Sequence, residues 1–247
     1  MQSGMATTLW IGLVISLATA TLFVACGALV QRRPASDDAR LAMRMYATWW
    51  YAVGAVIGIT ALRTLLALAG VTAAPVYETL TFGLAFPLAV SLWSLLYYLA
   101  YIYTGRRAAI VPLSVAYAAF LVFTLYYFSR FEGRHLVTTA WSVNYAATVQ
   151  PPRWMDLVFG VSLAVPILAV VVGYGMLYFR VEDKAGRRRV RSVSLAFGVW
   201  FGAVLLGYLL GWQRRDWFPL IYELPGLFAA GLVAATYWRA RDGHAPT

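Results

Sequence analysis

Lysine is almost absent from this chain. Among 247 residues only Lys184 is a lysine, against nineteen arginines, and it lies outside every long apolar run. No imine between a lysine and a carbonyl ligand can therefore form inside an apolar segment. Cysteine is equally scarce: Cys26 stands alone, so no intramolecular disulfide and no thiolate cluster is possible. The two histidines, His135 and His244, lie outside the apolar runs. A histidine-rich di-iron site or a bis-histidine haem within those runs is excluded. Nor is there a Gly-x-Ser-x-Gly elbow, a phosphate-cradling glycine loop or a paired-acid motif. Of ten acidic residues only Glu223 lies well inside an apolar run. Catalysis is not expected, and no metal site is expected.

What the chain has in abundance is apolar surface. It is 62% hydrophobic and 12% charged, with a mean hydropathy of +0.69. Soluble domains are about half apolar and a quarter charged, so an integral, multi-pass protein of the cell membrane is expected. A span needs about 20 apolar residues. Seven such segments occur, at roughly 7–30, 45–70, 78–104, 108–129, 156–179, 191–212 and 216–238. They define an all-α, seven-helix bundle forming one domain over residues 1–247, with no soluble domain. The start, MQSGMATTLW, has no basic leader region, so the first segment reads as a retained helix and not a signal peptide.

The net charge of +10 resides between apolar segments. It reads as orientation charge facing anionic lipid rather than as a nucleic-acid surface. Arg32, Arg33, Arg40 and Arg44, then Arg106 and Arg107, then the run from Arg180 to Arg191, then Arg239 and Arg241 mark alternate loops. The positive-inside rule places these in the cytoplasm, with the N-terminus outside and the C-terminus inside. The one long connection, between segments 4 and 5, holds Thr, Val, Trp and Tyr and ends in Pro151-Pro152. It suits a short hairpin or lid, or equally a plain connector. Gly54/Gly58, Gly198/Gly202 and Gly207/Gly211 are small-xxx-small pairs. Such pairs let helices approach closely, within one chain or in a homo-oligomer.

Two ionisable residues lie deep in the segments, Arg63 in the second and Glu223 in the seventh. At about 1.5 Å per residue both fall roughly 10 Å below the outer boundary. Charges at such depth usually face the bundle and pair, so an Arg63–Glu223 ion pair is expected, acting as a structural staple or as part of a binding site. Glu78, at the mouth of the third segment, could join it or simply be solvated. Trp93 and Tyr97 share one helical face near mid-membrane and, with Trp200, could wall a pocket for an apolar ligand or belong to ordinary core. Pro87, Pro112, Pro166 and Pro225 each permit a kink inside a segment.

The pattern resembles the microbial rhodopsin family. LWIGLVISLATATLFVACG followed by DDARLAMRMYATWWYAVGAVIGITALRTLLALAG is similar to that family's first helical hairpin. This includes the Asp-Ala-basic run and the Tyr46-Ala47 that opens the second helix. Ala85-Phe86-Pro87-Leu88-Ala89 is similar to the family's Thr-Thr-Pro-Leu-Leu stretch, and Arg191-Ser-Val-Ser to its sixth-helix start. Tyr222-Glu223-Leu224-Pro225-Gly226-Leu227 falls where the family has Asp-x-x-x-Lys. The resemblance thus sets Glu223 at the seventh-helix acid and Leu227 at the lysine that carries retinal. Thr81 falls near the counter-ion place and Glu78 near the preceding arginine. The family's Trp-x-x-Tyr-Pro-x-x-Trp becomes Gly198-Val-Trp-Phe201-Gly202-Ala-Val-Leu205. A rhodopsin-like protein with no covalent cofactor is implied, with noncovalent retinoid or carotenoid binding left open.

The expected function is a sensory or signalling module that binds an apolar ligand and acts through a separate membrane or cytoplasmic partner. The alternatives are a small-solute or ion transporter and a non-catalytic assembly subunit. Against transport stands Glu223's isolation, since a proton path needs acids or histidines in series.

Overall fold

The computed structural model describes residues 2–33, 37–210 and 217–242. Seven helical segments are long and apolar enough to cross a membrane. Helix α1 covers Gln2–Gln31 and α2 covers Asp37–Leu68. The third span is made of two pieces, α3 (Ala74–Gly83) and α4 (Ala85–Thr104). Pro87 has no N–H to offer the Gly83 carbonyl, and the helix breaks there. The break is slight, because Leu84 keeps right-handed helical angles and the Leu88 N–H still reaches the Leu84 carbonyl at 3.2 Å. α4 stops at Gly105, whose φ of 64° is a left-handed cap that glycine adopts without strain.

After a turn at Arg107–Ala109, α5 covers Ile110–Ser129, α6 Arg153–Arg180, α7 Lys184–Leu209 and α8 Phe218–Asp242. α2 and α7 begin about two turns before the apolar runs do. Their first turns carry Asp37, Arg40 and the arginines 187–189, so the helices continue into the polar boundary. The expected end of segment 6, with Gly211, the expected start of segment 7 at Asp216, and His244 lie outside the described residues.

The spans form a closed ring of contacts. α1 packs on α2 and α8, α8 on α7, α7 on α6, α6 on α4, and α4 on α2, with α5 outside against α4. α5 and α6 turn apolar side chains outward: Val111, Val115, Val122 and Leu157 are each about two-thirds exposed. Such an outward face suits hydrocarbon and not water. The Gly54 pair member serves internal packing, since a Cβ there would lie 3.1 Å from Val24 Cγ2 and 3.2 Å from the Ala20 carbonyl of α1. A Cβ at Gly58, Gly198 or Gly202 would meet no described neighbour within 4 Å.

The long connection is a β-hairpin, β1 (Glu132–Thr138) antiparallel to β2 (Val143–Val149), with Thr138 opposite Val143. Thr139 closes the turn between them. Its Oγ1 accepts the Ser142 N–H at 3.0 Å, while its own N–H donates to the Ser142 carbonyl at 2.9 Å. Threonine is suited to this because its hydroxyl bonds locally to the backbone.

Candidate functional site

The hairpin docks across the ends of α1, α2 and α3. The Val143 N–H donates to Thr64 Oγ1 at 3.3 Å, and the Trp141 carbonyl oxygen rests on Gly12, in the place a Cβ would fill. Tyr77 stacks on Tyr145 with ring centroids 5.9 Å apart, and the Tyr145 phenol lies beside the Glu78 carboxylate. Burial, with that carboxylate beside it, pushes the Tyr145 phenol above its ordinary pKa. Glu78 thus sits on the hairpin side of α3, and among the described residues no ion pair joins it to Arg63. The basic loops gather at the other end of the bundle. There Arg107 Nη2 donates to the Asp37 carbonyl at 3.0 Å, and Arg33 lies over the Tyr237 ring at 4.8 Å.

Below the hairpin, Glu223 of α8 is 2% exposed, and its Oε1 accepts the Ser16 hydroxyl of α1 at 2.7 Å. Arg63 of α2 donates through Nη2 to Thr60 Oγ1 at 3.5 Å, and its buried Nε has no hydrogen-bond partner among the described residues. The expected Arg63–Glu223 ion pair is not formed among the described residues, where Arg40 pairs with Asp37 at 2.7 Å. Equal depth fixes only one coordinate, and the two helical faces differ. Glu223 shares its face with Ala230 and Val233, two and three turns on, and the Ala230 carbonyl accepts Cys26 Sγ of α1 at 3.3 Å. That face looks at α1, not at α2.

A cavity of about 180 Å³ lies within the ring between α2, α4, α6 and α7. α2 supplies Trp49, Val53 and Val56, and α4 the stretch from Leu88 to Leu96. α6 supplies Leu163, Pro166, Ile167 and Val170, and α7 Trp200 and Phe201. The described lining carries no charge. Its one hydroxyl, Ser91, turns back onto the Leu88 carbonyl at 2.7 Å. Trp200 separates the cavity from α8: its Nε1 donates to the Tyr222 carbonyl at 2.8 Å, and Gly226 gives the indole room.

Of the expected pocket wall, only Trp200 lines this cavity. Trp93 turns to α5, where its Nε1 donates to Ser114 Oγ at 3.1 Å. Tyr97 is fully buried beside Tyr101, with its hydroxyl unpartnered among the described residues. Leu227, half-buried on α8, is not part of the lining. Sequence reasoning passed over Val53, Val56, Ile167, Phe201 and Ser16. Counting back from Arg63 along one face of α2 reaches Val56, Val53 and Trp49, and Pro166 marks the facing wall. Ser16 carries no such signal.

No protein-family model matches this chain, and no curated protein matches it.

Proposed function

We propose that this protein is a rhodopsin-like membrane module that binds an apolar ligand noncovalently and signals through a separate partner. The observation that carries the reading is the uncharged cavity between α2, α4, α6 and α7, walled by Trp49 and Trp200. Ligand sites are concave, mostly apolar and lined by aromatic side chains. Leu227 and the confinement of lysine to Lys184 direct the reading to noncovalent binding, of a retinoid or carotenoid class or another apolar molecule. The basic loops at one end support a cytoplasmic face there, with the hairpin outside. A partner would meet that basic face.

The test is purification from native membranes, followed by an absorption spectrum and mass spectrometry of extracted small molecules. A stoichiometric apolar molecule, displaced when Trp200→Leu alters the wall, supports the reading. A preparation free of any such molecule, which also fails to take up apolar probes, overturns it.

A further inference from the structure

The α2 face that lines the cavity carries an arginine beyond the lining. On an ideal helix of 3.6 residues per turn, Trp49, Val53, Val56, Thr60 and Arg63 fall within an arc of about 80°. The first three line the cavity, so Thr60 and Arg63 continue the same face beyond it. Side chains on a helix lean toward its N-terminus. For Arg63 that direction runs back down α2 toward the cavity, and the hydrogen bond to Thr60, one turn earlier, follows it. Arginines near a membrane boundary ordinarily extend toward the headgroups instead. Thr60 links the two, since its Oγ1 also donates to the Val56 carbonyl at 3.2 Å. Glu223, the one acid at this depth, is held by Ser16 on the α1 side. Tyr222, whose carbonyl holds the Trp200 indole, is near enough to act electrostatically on Arg63. The result is an apolar cavity with a guanidinium further along the same α2 face that no carboxylate among the described residues neutralises.

We infer that the cavity takes an amphipathic anion, a lipophile with a carboxylate head, its chain between α2, α4, α6 and α7 and its head on Arg63. This inference rests on the proposed ligand-binding function and assigns the ligand's class. Guanidinium and carboxylate form paired, charge-assisted hydrogen bonds, and Arg63 has no carboxylate partner among the described residues.

The experiment uses the full chain in lipid nanodiscs with cis-parinaric acid, its methyl ester and the matching amine, and empty nanodiscs as the reference. Energy transfer from tryptophan to the polyene reports binding, because Trp49 and Trp200 wall the cavity. The acid is expected to bind about ten-fold tighter than the ester or better, and the amine weakest. Arg63→Gln should bring acid and ester to equal affinity with ester binding retained, while Arg63→Lys keeps a preference for the acid. Equal binding of acid and ester by the wild type overturns the anionic class and leaves the apolar site standing. Binding of none of the three removes the proposed function as well. A preference for the acid that survives Arg63→Gln overturns the role of Arg63. The wild-type comparison decides the class even if the glutamine variant does not fold.

Discussion

At the end of the bundle that carries the basic loops, ring packs on ring. Phe23, Tyr46, Trp49, Trp50, Tyr98, Tyr174 and Phe197 meet at centroid distances such as 4.4 Å for Trp49–Trp50 and 4.5 Å for Tyr46–Tyr98. At the hairpin end, the same bundle holds Ser16, Arg63, Glu223 and the two-piece third span, and the cavity lies where the two regions meet. Without a hydrophobic drive between helices in lipid, close packing must hold the bundle together. The aromatic end meets that need by filling space. The hairpin end bonds Ser16, Thr60 and Glu223 locally, leaves the Arg63 Nε unbonded among the described residues, and borders the cavity.

The sharpest way to break this contrast is to open the aromatic end. Phe197 is 1% exposed and touches Trp49, Trp50, Tyr174 and Phe201. Phe197→Ala should cost about 3–5 kcal/mol, as large-to-alanine truncations do in well-packed cores. Unfolding in mixed micelles measures it. A loss below about 1 kcal/mol would mean that the ring cluster does not hold the bundle.

A smaller effect is expected at the hairpin. Gly12→Leu places a side chain where the Trp141 carbonyl rests, and overpacking of this kind costs about 1–3 kcal/mol. Hydrogen exchange should rise through Glu132–Thr138 and Val143–Val149 and stay unchanged in the aromatic core. Retained protection in the strands would show that docking on Gly12 is dispensable.

Seven spans are legible in the sequence because length and apolarity are local properties, set within about 20 residues. The strand pairing of 132–149 is less so. Thr139 bonding Ser142, and the contacts of Tyr145 with Tyr77 and Glu78, join residues whose proximity no local pattern encodes. The charged residues show the same division. Depth along α2 and α8 follows from counting, and it sets Arg63 and Glu223 level. Which neighbour each faces depends on the rotation of the helix in the ring, and on Ser16, a hydroxyl with no pattern around it. Trp93 and Tyr97 share a face as spacing requires, yet that face does not border the cavity.

The smallest expected effect is the most discriminating. If Arg63 and Glu223 were paired, removing either would leave a buried charge and cost about 3–5 kcal/mol, and the two losses would not add. In the structure they answer to different partners, Thr60 and Ser16. Glu223→Gln keeps an oxygen to accept from Ser16 and should cost no more than about 1 kcal/mol. A double-mutant cycle with Arg63→Gln, read by unfolding in mixed micelles, should give a coupling within about 0.5 kcal/mol of zero. A coupling above about 1 kcal/mol would bring the two residues together after all, and with them the carboxylate that would neutralise Arg63. Additive losses would mean that Arg63 and Glu223 act separately, Glu223 with Ser16 on the α1 side and Arg63 with Thr60 on the α2 face that continues past the cavity.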